Sequence, residues 1–272
     1  MAVYRGPRPR IGVVAAIFAM LLCGCAFWRP AKVPMPVLLE SAGCASRPDT
    51  LIVFLPGSFS DPAELIREGL VQAVRARHIA ADMALADAHL GYYAESSVVE
   101  RLRADVVAPA LSGGYRHVWL VGISVGAFGG ILVADTYPAG IDGVVALGPY
   151  LGVRTQTHEV AAAGGLRRWP APVGPLPPDQ GDVAVWRWLK ARTEPSALGT
   201  APRVFLGYGM DDRFLVSDEL LAAALPAGQA LTAPGGHDWT VWRPLWEQIL
   251  DRMQLPRDAS CGAVAQPVPP LR

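Results

Sequence analysis

The sequence predicts an α/β fold: a mostly parallel β-sheet with helices on both faces and one irregular, lid-like excursion. Three observations predict it. Short continuous apolar runs alternate with segments of helical pattern, and strands buried on both faces of a parallel sheet read as such runs. Most runs meet Gly, Pro or Asp at their ends, where turns belong. Over 272 residues the chain is 51% hydrophobic and 18% charged, enough apolar side chain for one large core and too much for disorder.

The N-terminal residues are of a different kind. Arg5, Arg8 and Arg10 precede an apolar stretch at positions 11–22, the layout of an export signal with a charged region and a short hydrophobic region. Leu22-Cys23-Gly24-Cys25 follows and resembles the bacterial lipobox, in which a small residue precedes the cysteine that is lipidated and becomes the mature N-terminus. Cys25 is the favoured acceptor, because bulky Leu22 precedes Cys23. An ordinary cleaved signal and a retained helix are the alternatives. The resemblance implies a signal peptide over residues 1–24 and a protein anchored by lipid in a bacterial cell envelope, facing an extracytoplasmic compartment. In such an oxidising compartment Cys44 and Cys261, the cysteines left after the leader, are expected to form a disulfide joining the two ends of the domain.

Residues 25–49, with Pro30, Pro34 and Pro36, read as a tether with little structure. The domain is expected over residues 50–256, followed by a tail at 257–272. Its first strand is 51–55 (LIVFL), stopped by Pro56-Gly57. A helix over 61–77 follows, with Asp61 placed to cap it and Pro62 suited to its first position. A strand over 79–85, the loop at 87–93 and a helix through Val98, Leu102 and Val106 come next. The pattern continues with a strand at 118–123, a helix at 125–137 and a strand at 144–147 after the Asp142-Gly143 turn. Residues 151–181, carrying Gly164-Gly165 and five prolines from Pro170 to Pro178, break the pattern. Excursions of that length form lids or binding loops, with Trp169, Trp186 and Trp188 as apolar surface or as core. A helix at 183–190, a strand at 204–206, a helix at 218–225, a short strand at 230–231 and a helix at 241–253 complete the order. Strands joined by crossover helices make a parallel sheet.

Formal net charge is zero, with 24 basic and 24 acidic side chains, so no electrostatic term gathers nucleic acid. There is no H-E-x-x-H, C-x-x-C pair or phosphate loop, and hence no candidate residues for a metal or nucleotide cofactor. What stands out is Gly122-Ile123-Ser124-Val125-Gly126, a G-x-S-x-G turn between a strand and a helix, which lifts a serine hydroxyl above the sheet edge as a nucleophile. Of five histidines, His237 lies in Pro234-Gly235-Gly236-His237-Asp238-Trp239, between the last strand and the last helix, where a base can reach that edge. His117 opens a strand at the wrong end, and His78 and His158 read as surface residues. His89, in the loop after a strand, is a candidate substrate contact, as is Phe59.

These motifs, in this order, resemble the α/β-hydrolase superfamily and the Gly-Gly-His-x-Trp run of its secreted esterases. The resemblance covers residues 51–253 and implies a triad acid between Ser124 and His237. Asp212, three residues after Gly209, is favoured, with Asp211 the alternative. It implies an oxyanion hole from the backbone amides of Val125 and Ser58, although Pro56 stands where the family commonly has histidine. The implied activity is hydrolysis of a small-molecule carboxylic ester through an acyl-enzyme. A thioesterase, peptidase or acyltransferase on the same fold, or a non-catalytic binding lipoprotein, are the alternatives.

Overall fold

The computed structural model describes residues 29–197 and 202–262. Strands β1 (Val37–Glu40), β2 (Thr50–Leu55), β3 (Asp82–Ala86), β4 (His117–Ile123), β5 (Ile141–Leu147), β6 (Arg203–Gly209) and β7 (Ala230–Ala233) form one sheet. Its order is β1-β3-β2-β4-β5-β6-β7. Only β1 pairs antiparallel, with β3; the other neighbours are parallel. The helices are α1 (Pro62–Arg67), α2 (Leu70–Arg75), α3 (Leu90–Ala94), α4 (Val98–Leu102), α5 (Ala108–Ser112) and α6 (Val125–Thr136). They continue with α7 (Arg154–Ala162), α8 (Gly181–Thr193), α9 (Leu215–Ala222) and α10 (Trp239–Arg252).

Successive strand residues point to opposite faces, and here both sets are buried. Leu51, Val53, Leu120, Val144 and Leu206 pack with Ile131 of α6, Trp186 of α8 and Leu221 of α9. Ile52, Phe54, Val121, Val145 and Phe205 pack on the other face with Leu65 of α1, Val71 of α2 and Trp246 of α10. That double burial is why the strands read as unbroken apolar runs. From β2 the chain steps outward to β3 and returns to β4 on the opposite side. The strand order therefore reverses between β2 and β4, and the carboxyl ends of those strands frame the crevice where open α/β sheets bind ligands.

Several expected boundaries shift. The helix over 61–77 is two helices, split at Gly69, whose φ of 90° is a left-handed conformation natural to glycine. The third strand starts at Asp82 because Ile79 bridges Arg257 and the Ala80 amide donates to the Pro256 carbonyl. The helix through Val106 begins again at α4 and passes through a π-helical turn, Arg103–Val107, into α5.

Two larger expectations need correction. Residues 29–49 are not an unstructured tether. Arg29 forks onto both carboxylate oxygens of Asp87 at 3.0 Å, the Met35 amide donates to Asp105 at 2.8 Å, and β1 closes the outer edge of β3. Proline spacing argues against helix, but an extended edge strand tolerates it, and β3 would otherwise expose a row of unpaired backbone groups. Residues 151–181 are not irregular throughout, since they include α7. Trp169, Trp186 and Trp188 are core side chains rather than pocket surface, buried to within 6% exposure. Trp169 thus pins the excursion at its middle, while positions 170–180 after it are mostly exposed.

A disulfide joins Cys44 to Cys261, packed on Ala42. Beside it the Gly262 amide donates to the Ala42 carbonyl at 2.8 Å, so the start of the predicted tail is bound to the segment before β2. Cys25 and the apolar stretch at 11–22 lie outside the described residues. Among the described residues no helix is long and apolar enough to cross a membrane.

Candidate active site

β4 runs directly into Ser124, which turns the chain into α6 with φ 53° and ψ −117°. This conformation is costly for a residue with a side chain, about 1–3 kcal/mol, and persists only where the surroundings enforce it. The Ser124 amide donates to the Leu147 carbonyl at 3.0 Å, and its own carbonyl accepts from the Tyr150 and Ala127 amides, both at 3.1 Å. The two flanking glycines have steric reasons to be there. A side chain at Gly122 would strike the backbone of Gly126 and Ala127, and one at Gly126 would strike the carbonyls of Leu55 and Pro56.

Asp212 follows the end of β6 and is buried. His237 follows β7, and Asp238 beside it caps α10 by accepting from the Thr240 amide at 2.9 Å. The loops carrying the acid and the histidine are clamped together. The Asp211 amide donates to the Gly235 carbonyl at 2.9 Å, and a side chain at Gly209 would collide with the carbonyls of Gly235 and Gly236. The result is one continuous line. His237 Nε2 lies 3.0 Å from Ser124 Oγ, and His237 Nδ1 lies 2.8 Å and 3.0 Å from the two carboxylate oxygens of Asp212. Because a carboxylate only accepts, Nδ1 carries the proton and Nε2 is left as an acceptor for the serine hydroxyl. Asp211 is exposed, and of the two aspartates only Asp212 meets the His237 ring.

The Val125 amide is the first of α6 and has no carbonyl of its own helix to bond. The loop after β2 comes close to the serine: a Cβ at Gly57 would lie 3.7 Å from that of Ser124, which brings the Ser58 backbone to the same crevice. Phe59 stands 82% exposed on this loop. His89 is buried and caps α3, its Nδ1 accepting from the Gly91 amide at 3.1 Å, with its ring on Tyr92 at 4.8 Å. Burial, and then the Arg29 charge, hold its pKa below the usual histidine value. No described contact joins His89 to Ser124, Asp212 or His237. His117 pairs with Asp142 at 3.1 Å and His78 bonds the Cys261 carbonyl at 2.7 Å.

Sequence reasoning missed several residues of this site. The His237 ring is gripped edge-on between Phe214 and Trp242, with ring centres at 5.2 and 4.9 Å. Gly148, with φ 47°, ends the β5 run beneath them; a Cβ there would lie 2.6 Å from Trp242 Nε1 and 3.0 Å from Asp212 Oδ2. A glycine directly after an apolar run was the available signal. Asp218 of α9 is wholly buried, with no hydrogen-bond partner for either carboxylate oxygen among the described residues. Burial first, and then the Asp212 charge, push its pKa up to about 9, so it is a neutral acid near Asp212 at neutral pH. Nothing in the sequence separates it from a solvated helix carboxylate. Among the described residues no group of three or more His, Cys, Asp or Glu side chains is arranged to hold a metal ion.

No protein-family model matches the chain, and no similar sequence was found among curated proteins. Solved structures of similar shape include an S-formylglutathione hydrolase (FrmB) from Staphylococcus aureus, 13% identical with a TM-score of 0.53, covering 83% of this chain and 98% of that one. Another is MGS-MChE2, an α/β-hydrolase enzyme from a sediment metagenome of the Mar Chica lagoon, at 17% identity and TM-score 0.51, covering 83% and 96%. A third is Est1E of Butyrivibrio proteoclasticus with ferulic acid bound, at 13% identity and TM-score 0.52, covering 80% and 94%. With the strand order described above, these likenesses give the chain the α/β-hydrolase fold.

Proposed function

We propose that this chain is a serine hydrolase that cleaves a carboxylic ester through Ser124, His237 and Asp212. The observation that carries the reading is the unbroken line from the Ser124 hydroxyl through both nitrogens of His237 to the Asp212 carboxylate, 3.0 Å and 2.8 Å long. His237 takes the hydroxyl proton as Ser124 attacks the carbonyl, and the Val125 and Ser58 amides hold the oxyanion. The imidazolium then protonates the departing alcohol, leaving an acyl-enzyme. Water, deprotonated by the same imidazole, adds to the acyl carbon and releases the acid. Asp212 fixes the imidazole tautomer and stabilises its charge without taking the proton. Similarity in fold to an S-formylglutathione hydrolase and an α/β-hydrolase enzyme agrees with acyl transfer to water.

A fluorophosphonate probe is expected to label the wild type but not Ser124→Ala, which should lose about a million-fold in kcat on nitrophenyl esters. Asp212→Asn should lose about ten-thousand-fold, and Asp211→Asn little. An unlabelled, inactive wild type refutes the reading. A panel of oxygen esters, acyl-thioesters and peptides assigns the bond cleaved.

Anchoring by lipid at Cys25 is part of the same proposal and rests on the leader sequence. Palmitate incorporation and detergent-phase partition in an exporting host are expected for the wild type and lost in Cys25→Ala. Loss in Cys23→Ala instead would move the anchor.

A further inference from the structure

Next to the triad, an open cleft of about 550 Å³ lies between the connection from β5 to α7 and the connection from β6 to α9. Two of its walls are also walls of the site. Phe214 meets the His237 ring edge-on, Tyr150 bonds the Ser124 carbonyl through its amide, and the rings of Tyr150 and Phe214 touch at 5.6 Å. The rest of the lining sets apolar Val153 and Val216 beside Arg154, Arg213, His158 and Thr157, and no carboxylate lines it. Asp182 accepts from the Val153 amide at 3.0 Å but does not line the cleft. Among the described residues neither arginine has an ion-pair or hydrogen-bond partner, and Arg213 lies over the Phe214 ring at 5.0 Å.

An arginine fork is built for carboxylates, and a cleft that is mostly apolar with a few converging charges takes a ligand with an apolar body and an anionic end. We propose that this cleft is a substrate subsite for a carboxylate, so that the ester cleaved at Ser124 belongs to an anionic molecule. The inference rests on the hydrolase reading for its use, but the cleft and its charge do not.

Nitrophenyl hemiesters of short dicarboxylic acids, and the same esters with the free acid methyl-capped, test the acyl side. Monoesters of hydroxy acids and their capped forms test the alcohol side. The charged-to-capped ratio of kcat/KM is expected to exceed one for wild type on one of the two sides. It should fall about tenfold in Arg154→Gln and in Arg213→Gln, through KM rather than kcat. Arg116→Gln, a change just before the amino-terminal end of β4, is expected to keep the wild-type ratio. Raising salt should shrink the wild-type preference. Calorimetric binding of a non-hydrolysable hemiamide to Ser124→Ala, weakened in Ser124→Ala/Arg154→Gln, reports on the cleft without turnover. A ratio at or below one on both sides, together with no hemiamide binding, overturns the subsite while leaving the hydrolase reading intact. Hemiamide binding in a wild type that no probe labels would uphold the subsite and remove the hydrolase.

Discussion

Ser124 keeps a conformation that an ordinary side chain avoids because two neighbours carry no side chain. Gly126→Ala would push a methyl into the carbonyls of Leu55 and Pro56, which underlie the Ser58 loop. We expect a loss of roughly 1–3 kcal/mol in urea denaturation and a fall in kcat beyond what the stability change explains. Unchanged stability and turnover would show that the close approach is unimportant. Asp218 makes a second prediction. Its folded pKa of about 9 lies above the ordinary aspartate value of 3.8, so the native state keeps a proton that the unfolded chain releases. The contribution of this proton to stability is fully present below pH 3.8 and is lost progressively as pH rises toward 9. At pH 7 the deficit reaches about 4 kcal/mol. Asp218→Asn does not titrate, so its stability relative to wild type should improve between pH 5 and pH 8, by about 1.4 kcal/mol per unit. A pH-independent difference would mean that Asp218 is ionised in the folded protein.

Ser124, Asp212 and His237 are each delivered by the end of an element, and the quality of that element sets the precision of the residue. His237 is followed at once by Asp238, which caps α10, and α10 is fixed to the sheet by Trp246, packed edge-on against Phe54 and hydrogen-bonded to the Leu70 carbonyl. Asp238→Ala should therefore cost about 1 kcal/mol of stability. It should also lower kcat, because fraying of the first turn loosens the loop that aims the imidazole. Thermal melting and single-turnover kinetics would separate the two effects. Gly69 and the π-helical turn at Arg103–Val107 show why helix boundaries were harder to read than helix positions. Both interruptions lie inside segments whose apolar spacing continues on either side, and spacing carries no record of a local change in winding.

At the scale of the molecule, the Cys44–Cys261 disulfide spans 217 residues and ties the segment before β2 to the segment after α10. In the chain-entropy view, closing a loop of that length in the unfolded chain is worth about 5 kcal/mol. Reduction, or the double change Cys44→Ala/Cys261→Ala, should lower Tm by roughly 10–20 °C. Fluorophosphonate labelling below the new melting point should survive, since the bridge lies near His78 and Ala80, away from Ser124 and His237. An unshifted Tm would indicate that the two ends are held by other contacts.

The sequence by itself determined six of the seven strands, the elbow at Ser124, and the candidates His237 and Asp212. Each of these leaves a local mark: an apolar run, a pair of glycines, or a polar residue just past a strand end. It also marked Cys44 and Cys261, by leaving no other pair once the leader was set aside. The structure alone decided that Asp212 rather than Asp211 meets the histidine and that His89 is spent on a helix cap. It also decided that residues 29–49 form an edge rather than a leash, and that Trp169, Trp186 and Trp188 are core. The reason is the same in every case. Burial and partnership are relations between segments far apart in the chain, and a side chain such as Asp218 has the same sequence neighbours whether it faces water or the interior.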